Sequence, residues 1–240
     1  YRKETYVIGR GDVASYTTGP LQDLPAGSNG FQGFSPEFAG SFDSASYAVF
    51  AEVDADITPW WNLSVAGRYE DYDQFGTNFS YKAATRFELS DAFALRGSVS
   101  TGFRAPAAGQ VFGTSLTSQL DGLGGFILDA VLVPGSPAAQ VFGSKSLKPE
   151  TSFNMSAGVV FTGLDGFLAT LDFYQIKVDD RLLLTPSRKT TAAERAALAA
   201  LGFPNGADIE DVRYFQNEMN TRVRGFDLVS TYRQTWSDNA

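Results

Sequence analysis

Cysteine and histidine are absent from this 240-residue chain. Without cysteine there is no disulfide framework and no thiolate metal site. Without histidine there is no Ser-His-Asp or Cys-His catalysis, and the usual zinc ligand sets are missing. The lack of cysteine leaves the compartment open. No apolar run approaches the roughly 18 residues of a membrane-crossing helix. Basic charge is in deficit too: the formal net charge of −8 speaks against a nucleic-acid partner. Glycine and phenylalanine are plentiful instead, at 24 and 20 residues, an odd balance for a soluble globule that turns attention to strands.

The stretch SYAVFAEVDADIT, residues 46–58, shows the governing pattern. Tyr47, Val49, Ala51, Val53, Ala55 and Ile57 alternate with Ala48, Phe50, Glu52, Asp54 and Asp56. Such alternation is a strand with two unlike faces. The pattern recurs over 62–73, 78–89, 92–103, 151–163, 167–180 and 212–235. With the opening segment 1–9, about eight strands are expected. The fold class is therefore all-β; taken with the connections and the helix signal below, the expectation is an antiparallel up-and-down transmembrane β-barrel segment, with one short helix in an extracellular loop.

Connections carry the second signal. TPWWN (58–62), SDA (90–92) and LDG (164–166) are tight turns, and all fall at one end of the sheet. The long segments, about 10–41, 104–149 and 182–211, fall at the other. Short turns on one rim and long loops on the other are the organisation of outer-membrane barrels. The apolar face then touches outer-membrane lipid, and the polar face looks into a wet lumen. A lipocalin-like barrel alternates with its faces reversed; strand length, loop asymmetry and Trp60, Trp61 and Phe93 near the short-turn rim favour the membrane arrangement. The lumen set is Glu52, Asp54, Asp56, Arg68, Glu70, Lys82, Arg86, Glu88 and Arg96. Counting across the turns predicts Glu52 opposite Arg68, Glu70 opposite Lys82, and Glu88 diagonal to Arg96. Such pairs contribute up to about 1 kcal/mol each and hold the register. TAAERAALAALGF carries a capping box, Thr191 with Glu194, and a stop at Gly202, so a helix is expected over about 192–201.

Two stretches carry a family resemblance. LRGSVSTGFRAP (95–106), followed by LKPETSFNMSAGVVF (147–161), resembles the C-terminal barrel region of TonB-dependent outer-membrane receptors. The motif residues are Gly102, Phe103, Arg104 and Pro106, then Leu147, Lys148, Pro149 and Glu150. TRVRGFDLVSTYRQTW resembles a later strand of the same family, with Gly225 and Asp227 where it often has Gly and Glu. By residue chemistry, Pro106 ends a strand and Pro149 begins one, so these motifs read as barrel architecture.

The resemblance implies a Gram-negative outer-membrane importer of a scarce solute such as a ferric siderophore, cobalamin or a carbohydrate. It implies a barrel of about 22 strands around a plug. It also implies contact with TonB through that plug, which is not visible in this chain. The opening YRKETYVIGRGD reads as a strand already under way, and WSDNA at the end lacks a terminal aromatic. An interior piece of a larger receptor is therefore expected. The alternative is a self-contained small barrel serving as anchor or adhesin, which an even strand number permits.

No enzyme, cofactor or metal site is expected. DYDQFG (71–76) begins like a calcium loop, but Phe75 and Lys82 stand where oxygen ligands are needed. GLGG (122–125) lacks the ending of a phosphate loop, and RGD (10–12) is a common tripeptide. Asp179 and Asp180 beside Arg181 read as a charged rim. A small-molecule ligand would approach from the long-loop side. Location selects Phe112, Gln119, Phe126, Arg188, Tyr214 and Gln216 as contacts.

Overall fold

The structure, a computed structural model, describes residues 1–12, 28–29, 34, 36–120, 123 and 126–234. Most of the expected loop 10–41, most of GLGG and the WSDNA tail lie outside the described residues. Long strands dominate: β1 (Arg2–Ile8), β3 (Gly40–Thr58), β4 (Trp61–Tyr72), β5 (Gly76–Ser90), β6 (Phe93–Arg104), β9 (Glu150–Leu164), β10 (Phe167–Leu184) and β12 (Ile209–Tyr232). Short ones lie in the loops: β2 (Ser28–Asn29), β7 (Ser115–Leu120), β8 (Phe126–Leu132) and β11 (Arg188–Lys189). The helices are α1 (Ala108–Val111), α2 (Pro137–Gln140) and α3 (Ala192–Ala200).

The sheet runs β1-β3-β4-β5-β6-β9-β10-β12-β8-β7-β2, with β11 beside β12. That path has eleven strands, not about eight, and it is not closed. Two pairings, β12 with β8 and β2 with β7, are parallel, so the sheet is not antiparallel throughout. The helices number three among the described residues rather than one. These extra elements are short pieces of the long loops. Four-residue helices and two-residue strands are too brief to print a period on the sequence. The longer helix carries the expected capping box: Glu194 N–H donates to Thr191 Oγ1, and Thr191 N–H donates to Glu194 Oε2 at 2.7 Å.

Two-residue connections, Pro59–Trp60, Asp91–Ala92 and Asp165–Gly166, join strands at one end of the sheet. Rings gather there: Trp61–Phe87 at 5.7 Å, Phe93–Phe161 at 4.9 Å and Phe161–Phe167 at 6.2 Å. The wall itself has almost no interior. Val49, Val53 and Ile57 are 70%, 65% and 47% exposed, and Glu52, Asp54 and Asp56 on the opposite face are exposed as well. A two-sided sheet with one uncovered apolar face is the form that strands of outer-membrane barrels take.

The hydrophobic core lies elsewhere, at the long-loop end. Phe38, Leu116, Leu128, Leu132, Leu198, Ile209 and Val212 form one buried cluster. They come from the segment before β3, the β6–β9 loop, the β10–β12 loop and the top of β12. The long loops therefore pack as a cap on one rim of the wall.

Candidate functional site at the capped rim

The two quoted motifs meet at this rim. Arg104 ends β6 and Glu150 begins β9, and they are register partners. The guanidinium donates through Nε and Nη2 to the Glu150 carboxylate at 2.9 and 2.6 Å. The buried carboxylate also accepts from Leu182 N–H at 2.7 Å, tying β10 to the same point. Pro106 is buried just beyond. At Gly102 an added Cβ would stand 2.9 Å from Ser152 Oγ, so that hydroxyl would have to turn aside. Lys148 pairs with Asp180 at 2.9 Å. Asn217 on β12 accepts from Lys148 N–H at 3.0 Å and donates to Asp180 C=O at 2.7 Å. Asp180 has φ 58° and sits in a bulge of β10. The motif residues thus fasten four strands and the root of a loop.

At the same capped rim lies a cleft of about 350 Å³ between the cap and the top of β3. Phe38, Phe42, Phe112 and Phe203 line it, with Glu37, Thr114 and Ser136 among the polar groups. Phe42 and Phe112 stack at 4.7 Å, and Phe38 meets Phe203 at 5.6 Å. A largely apolar, aromatic concavity of this size takes a small molecule or one ring-bearing arm of a larger one.

Charge inside the cap is paired. Arg213 on β12 donates to Asp129 on β8 at 2.5 Å. Asp129 Oδ1 and Arg213 Nε have no protein partner, so the contact is single-point rather than forked. Burial pushes the Asp129 carboxyl up, and Arg213 counters only part of that. Arg188 pairs with Glu194 at 2.7 Å and lies 5.3 Å from the centre of the Phe142 ring. The Thr191 N–H, and after it Arg188, hold the Glu194 carboxyl below its ordinary value.

The residues selected by location are scattered over this rim. Phe112 lines the cleft. Gln119 is exposed on β7, and Gln216 is half-buried and bonded to Glu218. Phe126 opens β8, and its side chain lies outside what the structure describes. Tyr214 is 9% exposed, and its hydroxyl donates to Phe142 C=O at 2.9 Å. Phe38, Phe42, Phe203, Asp129 and Arg213 escaped the sequence reading. One signal existed for half of the ion pair: a lone Asp inside FILDAVL is a charge in an apolar run, whereas Arg213 in EDVRYF sits beside two acids and gives none.

Inside the wall, the polar side chains share one face but pair differently than expected. Arg68 stands opposite Phe50, and Glu52 opposite Ala66. Asn78 stands opposite Glu70, while Lys82 faces Ala66 and Ser100. The β3–β4 connection closes on Pro59–Trp60 with an irregularity between Asp56 and Thr58, and the β4–β5 turn closes at Gly76 with φ 72°. The first turn is tighter than assumed and the second centres nearer residue 74, so the partner of Arg68 slips by two residues and that of Glu70 by four. Arg68 and Arg86 instead pair along their own strands, with Glu70 at 2.5 Å and Glu88 at 2.6 Å. Arg96, diagonal to Glu88, reaches Asp172 at 2.5 Å across Gly158, which lies between them in register.

A short-turned wall with an uncovered apolar face, a capped opposite rim and this motif knot define one architecture. The sequence profile described as TonB dependent receptor-like, beta-barrel matches residues 4–240. The chain belongs to the TonB-dependent receptor β-barrel family. Members of this family sit in the outer membrane of Gram-negative bacteria, and so does this one. The iron-regulated outer membrane virulence protein of Vibrio cholerae serotype O1 is 26% identical over 81% of this chain. The chain spans 28% of that relative's length. The siderophore receptor PirA from Acinetobacter baumannii superposes with a TM-score of 0.54 at 20% identity, over 79% of this chain and 26% of that one. The ferric enterobactin receptor of Pseudomonas aeruginosa gives 0.57 at 18% identity, over 89% of this chain and 27% of that one. At these identities the structural likeness speaks for the fold.

Proposed function

We propose that this segment forms wall and cap of a TonB-dependent transporter importing a ferric siderophore. The observation that carries the reading is the aromatic cleft around Phe42 and Phe112, set in a cap over a polar-lined wall. The naming of a curated relative as iron-regulated, and of structural neighbours as siderophore receptors, supports the same solute class. Phe112 is the contact within the cleft; Gln119, Phe126, Arg188, Tyr214 and Gln216 are the further contacts proposed from their place in the long loops. Energy comes through TonB acting on a plug elsewhere in the full protein, and lipid covers the apolar face. A self-contained small barrel draws no support from the strand order, because β1 and β12 do not pair with each other.

Radiolabelled iron uptake tests this in iron-starved cells whose only receptor is the full-length protein. Uptake of at least one catecholate, hydroxamate or mixed ferric chelate is expected, and only with TonB present. Phe42→Ala with Phe112→Ala should weaken that uptake by roughly tenfold, as losing one or two aromatic contacts implies. No TonB-linked uptake of any of the three chelate types would end the proposal.

A further inference from the structure

The outer face of β10 and β12 changes character partway up. Register between these strands is unbroken from Phe167↔Tyr232 to Val178↔Thr221, so side-chain parity is fixed. Rising from the short-turn end, the outward pairs are Phe167/Tyr232, Ala169/Ser230, Leu171/Leu228 and Phe173/Phe226. Then come Gln175/Arg224 and Lys177/Arg222. Positions 222 to 232 span about 33 Å along a strand, or roughly 25 Å of height at the usual tilt. The apolar band of an outer-membrane barrel is about 25 Å tall, so with Tyr232 at its lower edge Arg222 stands at its upper edge, above the last apolar row at Phe173/Phe226. Arg222 therefore stands where hydrocarbon gives way to headgroups, and Arg224, one outward position lower, reaches the same boundary by extending its guanidinium along its apolar stem.

Their charge is poorly balanced. Lys177 is paired with Asp179 at 2.6 Å. Arg224 donates to the neutral Gln175 at 2.7 Å, which orients the guanidinium without neutralising it. Arg222 is exposed and makes no hydrogen bond or ion pair within the described residues. It stands directly opposite Lys177, and like charges placed so are destabilising. A chain with net charge −8 thus keeps three cations and one carboxylate together on its lipid side.

We infer that Lys177, Arg222 and Arg224 bind phosphate groups of the anionic glycolipid in the outer leaflet. Guanidinium forks match phosphate oxygens, and an anion between Lys177 and Arg222 removes their repulsion. Position selects a lipid source over free phosphate, because the patch adjoins the apolar band on the face away from the lumen. The inference rests on the outer-membrane placement of the chain and not on siderophore import, so uptake assays leave it untouched.

The test uses full-length protein extracted from outer membranes. Native mass spectrometry compares binding of bisphosphorylated lipid A with that of the same glycolipid after dephosphorylation. The phosphorylated form should bind at least tenfold more tightly. Arg222→Gln with Arg224→Gln should abolish the preference, Arg222→Lys with Arg224→Lys should keep most of it, and the lumen-facing control Arg86→Gln should leave it unchanged. Equal binding of the two glycolipids by the unaltered protein overturns the inference, as does a Gln variant that retains the preference.

Discussion

Single residues set how strands fit in this wall. Gly158 leaves the gap through which Arg96 and Asp172 meet; a Cβ there would lie 1.9 Å from Asp172 Oδ1 and 3.0 Å from Leu171 C=O. Gly225 does the same beneath Tyr174, whose hydroxyl would be 2.4 Å from an added Cβ. Gly158→Ala should therefore lower stability by about 1–3 kcal/mol, the usual cost of overpacking. Asp172→Ala in the same molecule should recover part of that loss. Equilibrium unfolding of the four proteins in the double-mutant cycle measures the coupling, and strict additivity would refute it. Arg104→Ala should cost about 1.5–3 kcal/mol, since a buried carboxylate would keep only the Leu182 N–H as partner. Thermal melting in detergent reads this directly.

Elements in the cap answer to different forces than elements in the wall. β12 shows both within one strand: Ile209 and Val212 are buried, while Phe226 and Leu228 are 72% and 73% exposed. The upper part lies between β8 and β11, and the lower part pairs with β10 alone. In α3, Thr191→Ala should cost about 1 kcal/mol and speed amide exchange over 192–200. Acid should loosen the same helix. Glu194 titrates below its ordinary value, so its contribution is complete above that value and fades as pH falls through the folded one. Glu194→Gln should remove this pH dependence of exchange. Asp129 runs the opposite way. Its raised value means that ionisation costs stability, so its share falls as pH rises from the ordinary aspartate range through the folded one. At neutral pH, Arg213→Ala should loosen β8 by about 1.5–3 kcal/mol, whereas Asp129→Asn should not. Exchange at Leu128 and Ala130 separates the two outcomes.

At the scale of the whole chain, the proposed placement of the wall between lipid and water is tested by adjacent residues of one strand. Val65 and Ala66 in β4 point to opposite faces. Val65→Arg should destabilise the membrane-inserted state by about 2–4 kcal/mol, while Ala66→Arg should cost little. Unfolding from lipid vesicles gives both values, and equal costs would refute the face assignment. The apolar band also runs obliquely to the register. It reaches Tyr69 and Phe79 on β4 and β5 but ends at Phe173 and Phe226 on β10 and β12. Tilted strands produce that offset, because a membrane plane cuts each successive strand at a different residue.

Much of this was legible in the sequence. Period-two alternation fixed which side chains share a face over 46–58 and 151–163, and the capping box marked α3. Those are local properties, carried by neighbours in the chain. Partners across turns were not legible. Arg68 faces Phe50 rather than Glu52 because one bulge and one tight turn shift every pair beyond them. The cap was not legible either, since Phe38, Leu128, Leu198 and Val212 come from distant segments with no shared period. The sequence by itself determined two-faced strands, their short-turned end and the family motifs, because alternation and turn chemistry act over a few residues. Only the tertiary structure decided register, the Arg96–Asp172 contact and the core at the rim, because each depends on where separate segments come to rest against one another.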